Sequence, residues 1–222
     1  MWIKELKDRH CGEDIWIIAS GSSLNYIDPS FFENKVTVAV NRACCFFECD
    51  YVVTKDKRGF EHIRNGTLNK DIKIVISRSD CGNPGACFHN IDQIDHSLVY
   101  FYDHGRNFRP PQIEVIDKNS DSLITSWSTI TTSIHFAAYL GAKNIIICGH
   151  DCGKIDGNVS ISGYSDIIEH VQGSEKEYYK WLIDLESDTD LVCSKVKDQY
   201  GCNIHSLNPF VHPSKLQRRF SK

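Results

Sequence analysis

The segment from Ser126 to Asp151 constrains the fold more than any other part of the sequence. Small or apolar residues recur there at the spacing of one helix face: Ile130, Ile134, Ala137, Ala138 and Gly141. Ser126 or Ser128 can cap the first turn, and Gly141 predicts the end of the helix. The apolar run 145–148 follows at once. A helix, a tight turn and a buried strand in this order are typical of an open α/β sheet.

Further apolar runs precede this unit, each rich in β-branched or aromatic residues and bounded by turn residues. They cover residues 14–19, 36–40, 51–54, 72–77 and 97–102. Because they are mostly apolar throughout rather than alternating, they are predicted to be strands covered on both faces. We therefore predict an α/β fold with a mostly parallel central sheet.

The sequence becomes polar after Asp151. Residues 151–173 contain several glycines and no apolar run, which predicts a loop or a lid. A capping box at 174–177 predicts a helix, a second helix is predicted over 188–200, and 203–207 reads as a last strand. No linker or repeat divides the chain, so we expect one domain over residues 1–222.

The composition limits the classes of function. The chain has 222 residues and a formal net charge of −4, which argues against a nucleic-acid binder. No apolar run is long enough to span a membrane, and the first residues lack the apolar core of a signal peptide, so we expect a cytoplasmic protein. The ten cysteines include no C-x-x-C pair and are expected to be reduced thiols. We predict no metal site, and an oligomer stays possible.

Polar residues follow several predicted strands directly, at the edge where open α/β sheets bind ligands. They are Ser20, Gly21, Ser22, Ser23, Asn41, Arg42, Lys55, Asp56, Gly149 and Asp151. Small residues, an amide, cations and hydroxyls suit a phosphorylated ligand. Ser128 and Thr129 add hydroxyls at a helix N-terminus, where the helix dipole favours an anion. Each group also has a structural explanation as a tight turn, a helix cap or a surface ion pair.

Three of these segments, in this order, resemble elements of one family. Residues 19–24 resemble the G-x-G-P-S-L turn of the bacterial CMP-sialic-acid-dependent sialyltransferases of glycosyltransferase family 42, with Ser22 in place of the proline. The strand that ends at Asn41 resembles the family's V-x-x-x-N element, and residues 128–151 are similar to its helix–strand element ending in G-x-D. The last segment is equally similar to the domain of archaeal 6-hydroxymethylpterin diphosphokinase and of flagellin-modification proteins.

The resemblance implies a Rossmann-like domain of three layers with a C-terminal lid and helices. It also implies a nucleotide site, in which Gly21, Ser22 and Ser23 line the phosphates or ribose and Asn41 hydrogen-bonds the nucleotide. Ser128 and Thr129 would lie near phosphate or ribose, and Gly149 and Asp151 would border the base or sugar.

The activity that the resemblance implies is transfer of a sialic-acid-like sugar from a CMP donor to a glycan or small-molecule acceptor, with no metal required. Tyr164 is the candidate for contacting the departing phosphate. His170 is the candidate general base, because histidine titrates near neutral pH, and His150 competes with it.

Two alternatives stay open on the sequence. A diphosphokinase of the 6-hydroxymethylpterin type would use ATP and Mg²⁺, which Asp56 and Asp151 could hold at the ends of two strands. A nucleotide-binding module with degraded catalysis would keep the fold without the reaction.

Overall fold

The predicted strands assemble into one parallel sheet. The computed structural model describes residues 1–55, 71–78, 97–104, 118–126, 128–164 and 175–207. Its sheet has eight strands, and every neighbouring pair is parallel. The strands are β1 (Asp14–Ile18), β2 (Val36–Val40), β3 (Tyr51–Thr54), β4 (Lys73–Ser77), β5 (Val99–His104), β6 (Ser122–Leu123), β7 (Asn144–Cys148) and β8 (Asn203–Leu207).

The order of the strands brings two distant parts of the chain together. The sheet runs β6-β5-β4-β3-β2-β1-β7-β8, so the chain moves outward from β1 to β6 and then returns to the other side of β1. Ile18, the last residue of β1, pairs with Cys148, the last residue of β7. The loops that follow these two strands therefore leave the sheet side by side, and ligands of open α/β sheets bind at such a reversal of strand order.

The core has one apolar layer on each face of the sheet. Ile15 and Ile17 of β1 face the layer that contains the helices α1 (Thr129–Tyr139) and α2 (Glu175–Tyr200). Ile18 faces the other layer, which includes the short 3₁₀ helices after β1 and β2. Burial on both faces explains why the strands are apolar throughout. The fold is thus the Rossmann-like α/β fold of three layers that the sequence predicts.

Helix α1 begins and ends where the sequence predicts. The Ser128 hydroxyl accepts a hydrogen bond from the Ile130 N–H at 3.3 Å, which caps the first turn. Gly141 follows the helix with a φ of +91°, a left-handed conformation that favours glycine. A Cβ at Gly141 would also lie 2.9 Å from the Cα of Cys11, so the close approach of two chain segments requires glycine there as well.

Two details of the sequence prediction are wrong. The predicted helices after residue 174 form one helix, α2, that continues from Glu175 to Tyr200. The Thr189 hydroxyl donates to the Leu185 carbonyl at 2.8 Å, so its polar group is satisfied within the helix. Strand β6 was not predicted, because its two residues form no apolar run. Among the residues that the structure describes, no helix is long and apolar enough to cross a membrane.

Candidate functional site

The loop after β1 is joined to the loop after β7 by hydrogen bonds. The Gly21 N–H donates to the Gly149 carbonyl at 2.7 Å. The N–H and the hydroxyl of Ser23 donate to the two carboxylate oxygens of Asp151, at 2.8 and 2.6 Å. The residues that the sequence predicts to be neighbours are therefore in contact. However, the N–H groups of Gly21 and Ser23, which we expected to approach an anion, donate to oxygens of the protein itself.

Close packing makes glycine necessary on both sides of this junction. A Cβ at Gly21 would lie 2.4 Å from both the Asp151 Oδ2 and the Gly149 carbonyl oxygen. Gly149 has a φ of +72°, and a Cβ there would lie 2.6 Å from a methyl carbon of Leu24. The two loops thus form one tightly packed unit, in which Asp151 is buried with only 5% of its surface exposed.

The end of β2 contacts the start of α1. Asn41 directly follows β2 and has a φ of +51°, an uncommon conformation for any residue except glycine, although asparagine tolerates it. Its side-chain amide donates to the Thr129 hydroxyl at 3.3 Å. Thr129 is the first residue of α1, where backbone N–H groups and the helix dipole favour negative charge. Asn41 and the helix N-terminus therefore form one polar surface, with Ser128 half-buried beside them.

The cation after β3 lies against the segment that leads into α1. The ammonium group of Lys55 donates to the Ser126 carbonyl at 2.7 Å. The Ser126 hydroxyl is in turn within 2.9 Å of the Thr131 hydroxyl, in the first turn of α1. A positive side chain is thereby held beside a helix N-terminus, and both attract an anion. Asp56, the other residue predicted here, lies outside the described residues.

An aromatic side chain meets a cation beside residues 19–24, the turn after β1 that we call the first turn from here on. The Arg42 guanidinium lies 5.5 Å from the centre of the Tyr164 ring, and the Phe46 ring lies 6.0 Å from it. Burial raises the pKa of the Tyr164 phenol, while the charge of Arg42 and a hydrogen bond with Ser20 oppose that rise. The net direction is upward, so the phenol keeps its proton at neutral pH and can donate a hydrogen bond to an anion.

Tyr164 reaches this position because the residues before it are bonded to the first turn. We call residues 152–164 the arm. The Ser22 hydroxyl donates to the Asn158 carbonyl at 2.8 Å, and the Ile161 N–H donates to the Ser20 carbonyl at 2.9 Å. The sequence predicts a loop or lid over 151–173, and the described part of it is held down by these bonds. Residues 165–173 lie outside the described residues.

The two candidate bases differ in what the structure describes. His150 is half-buried after β7, and its ring Nε2 lies 3.5 Å from the Sγ of Cys152. His170 falls outside the described residues. Within the parts of the chain that are described, three or more His, Cys, Asp or Glu side chains do not come together as a metal site requires.

The thiols near Arg42 are also perturbed. A hydrogen bond from Cys44 and the positive charge of Arg42 lower the pKa of the exposed Cys45 thiol. The buried thiol of Cys44 shifts in the opposite direction, because it shares that hydrogen bond and is desolvated.

Sequence reasoning missed the tertiary contacts that complete this edge. Ser126, Thr131 and Asn158 form its internal hydrogen bonds, and Phe46 packs on Tyr164. Only the hydroxyl-rich start of α1 carried a local signal, since Ser126 and Thr131 flank its cap. Asn158 and Phe46 become relevant only through tertiary contacts, which no local pattern reports.

Comparisons with known proteins support the fold. No family model matches the chain, and no curated protein matches it by sequence. Among solved structures, the MAf glycosyltransferase from Magnetospirillum magneticum AMB-1 is similar over 93% of this chain with a TM-score of 0.50 and 12% identity. The aligned region spans 37% of that protein's own length. A likeness at this identity shows a shared architecture, and the described sheet and helices thus have a counterpart in a glycosyltransferase.

Proposed function

We propose that this chain binds a nucleotide at the carboxyl edge of its sheet and transfers a sugar from a nucleotide-sugar donor to a hydroxyl group of an acceptor. One observation carries the proposal. Hydrogen-bond donors and cations from the ends of β1, β2 and β3, from the start of α1 and from the end of the arm lie in a row along one edge. The row runs through Lys55, Ser126, Thr131, Thr129, Asn41, Arg42, Tyr164 and Ser20.

The chemistry of this row suits a departing phosphate. Sugar transfer from a CMP donor leaves a phosphate oxygen that gains negative charge as the glycosidic bond breaks. Arg42, the phenol of Tyr164 and the N-terminus of α1 can stabilise that charge without a metal. A donor of the CMP type and a sialic-acid-like sugar are our proposal on the resemblance of residues 14–56 and 126–151.

The acceptor must lose a proton from its hydroxyl group during transfer. Histidine is suited to accept it, because its ordinary pKa lies near neutral pH. We propose His150 or His170 as this base, and either a glycan or a small molecule as the acceptor. Replacing each histidine with glutamine distinguishes them: loss of turnover with unchanged CMP affinity identifies the base.

The diphosphokinase alternative is less favoured by the arrangement of Asp151. Each oxygen of this carboxylate already accepts a hydrogen bond from Ser23, and the group is buried against Gly21. A magnesium ligand needs an oxygen that faces the cleft and its waters. Asp151 therefore contributes to packing between two loops rather than to an open metal position.

The test is ligand-induced stabilisation, measured by thermal unfolding and calorimetry. We expect CMP to bind without a metal; a ligand present at 100 times its Kd raises the free energy of unfolding by about 2.7 kcal/mol. Arg42→Gln should weaken CMP binding by about tenfold or more, since a hydrogen bond to a charged group contributes about 1.5–3 kcal/mol.

Lys35→Gln is the matched control for charge. Lys35 lies over the rings of Trp16 and Phe31, at 5.5 and 4.5 Å from their centres, and precedes β2 at the opposite edge of the sheet. Lys35→Gln removes one positive charge, as Arg42→Gln does, and should leave CMP affinity unchanged. Stabilisation by ATP only in the presence of Mg²⁺ would replace the transferase with the kinase, and no stabilisation by any nucleotide would refute the proposal.

A further inference from the structure

The side chain of Asp151 links the loop after β7 to the first turn through both of its oxygen atoms. No other side chain does so among the described hydrogen bonds. The Ser23 N–H reaches Oδ2 at 2.8 Å and the Ser23 hydroxyl reaches Oδ1 at 2.6 Å. Ser23 itself is fully buried. A buried carboxylate is stable only when such donors replace water, so the pair forms a strong and specific junction.

The carboxylate is buried against the first turn. Its Oδ2 would be 2.4 Å from a Cβ at Gly21, so the first turn lies directly against it. The sequence resemblance places Asp151 beside a base or sugar. The geometry instead gives it contacts with Gly21 and Ser23 of the first turn.

The arm begins immediately after Asp151. It is bonded to the first turn by Ser22 and Ile161, and the Ser162 N–H donates to the side-chain oxygen of Asn25 at 2.8 Å. It ends at Tyr164, beside Arg42. The arm therefore packs on the first turn, and Asp151 fixes both the turn and the start of the arm.

We propose that Asp151 is a positioning residue for the nucleotide site. Through Ser23 it holds the first turn in the conformation that docks the arm, and the docked arm places the Tyr164 phenol against Arg42. Asp151 itself does not touch the nucleotide. The link to ligand binding rests on the proposed function, whereas the docking of the arm can be measured without a ligand.

The first measurement is amide hydrogen exchange of the free protein. The Ile161 N–H reports docking, because its acceptor is the Ser20 carbonyl. In Asp151→Asn both hydrogen bonds with Ser23 lose the charge of the carboxylate, and the Ser23 hydroxyl must accept from the new amide N–H instead of donating, so we expect Ile161 to exchange about tenfold faster or more. The Ile74 N–H, which donates to Leu98 at the far side of the sheet, should keep its rate and so exclude global unfolding.

Asp156→Asn is the matched control. Asp156 lies in the arm, is exposed and accepts a hydrogen bond from the Tyr26 hydroxyl. Asp156→Asn makes the same chemical change as Asp151→Asn, but within the arm. We expect the exchange rate of the Ile161 N–H to change by about twofold or less. Equal exchange rates in Asp151→Asn and the wild type would overturn the proposal.

The second measurement is CMP affinity in a double-mutant cycle. If Asp151 acts through Ser23, then Ser23→Ala combined with Asp151→Asn should weaken binding no more than Asp151→Asn alone. Multiplied effects would show that Asp151 affects binding independently of the Ser23 hydroxyl and would overturn the positioning role. If the wild type binds no nucleotide, the proposed function fails, while the exchange experiment still decides whether Asp151 docks the arm.

Discussion

At the scale of single residues, Asn41 combines a backbone requirement with a proposed contact. Its φ of +51° favours glycine, while its amide donates to the Thr129 hydroxyl. Asparagine satisfies both conditions, because it tolerates this φ and supplies the amide. Two substitutions separate the backbone from the amide.

Asn41→Gly should keep the fold and weaken nucleotide binding. Glycine adopts a positive φ at no steric cost, so we expect the free energy of unfolding to change by less than about 1 kcal/mol. Loss of one hydrogen bond to the ligand should raise the Kd for CMP by about tenfold. Asn41→Ala should weaken binding equally but cost about 1 kcal/mol more in stability, because alanine is strained at this φ. Calorimetry and urea unfolding measure both, and CMP binding by Asn41→Gly at the wild-type affinity would remove Asn41 from the site.

At the scale of elements, the sequence predicts those whose signals are local. The bounds predicted for β2 and β3 are those of the structure, since both strands are continuous apolar runs between polar turns. The start of α1 was equally predictable, because Ser128 caps it. The unbroken course of α2 was not, since residues 187–190 are poor helix formers in isolation. Packing of Leu185 and Val192 into the core on either side of them decides the outcome.

The same contrast holds for the candidate site. The rule that ligands bind at the carboxyl ends of strands identified Asn41, Arg42 and Lys55, because each follows a strand in the sequence. It could not show that the donors of Gly21 and Ser23 are used within the protein, since their acceptors lie more than a hundred residues away. Hydrogen-bond partners at such separations are a property of the topology and not of any local pattern.

One side chain joins three elements and makes their packing depend on pH. His135 of α1 is fully buried. Its Nδ1 accepts a hydrogen bond from the Ile124 N–H, beside β6, at 2.9 Å. Its Nε2 lies 2.9 Å from the Tyr200 hydroxyl at the end of α2. Burial lowers the pKa of His135 from 6.5 to about 3. The neutral ring is therefore the form that the folded state contains, and the unfolded chain binds the proton more readily.

Stability should consequently decline as the pH falls from 6.5 towards 3. The contribution of the neutral His135 is fully present above the pKa of the unfolded chain, and it is lost at up to about 1.4 kcal/mol per pH unit below it. His135→Gln should be less stable at pH 7 but should show a shallower decline between pH 6.5 and 5, above the range in which most carboxylates titrate. Urea unfolding over this range measures the slopes, and parallel slopes in the two proteins would contradict a buried neutral histidine.

At the scale of the whole molecule, the parallel sheet separates structural from proposed functional groups. The eight strands that the structure describes all point the same way, so one edge of the sheet collects their starts and the other collects their ends. Asp14, Asn144 and Asn203 are the first residues of β1, β7 and β8. The Asn144 amide donates to the Asp14 carboxylate at 2.6 Å, and the Asn203 amide donates to the Asn144 side-chain oxygen at 3.1 Å. These bonds tie β1, β7 and β8 together far from the loops that follow them.

This polarity predicts that a substitution at the start of β7 lowers stability without changing nucleotide binding. Asn144→Ala removes both bonds at the amino edge and should cost about 1–2 kcal/mol of stability, since a typical hydrogen bond contributes about 1 kcal/mol net. It should leave the Kd for CMP unchanged, because β7 still ends in register with β1 and presents Gly149 and Asp151 to the first turn. Urea unfolding and calorimetry on one preparation measure both quantities. A change in CMP affinity of more than about threefold would show that the two edges are coupled through the strands, and would locate part of the binding energy in the register of the sheet rather than in its loops.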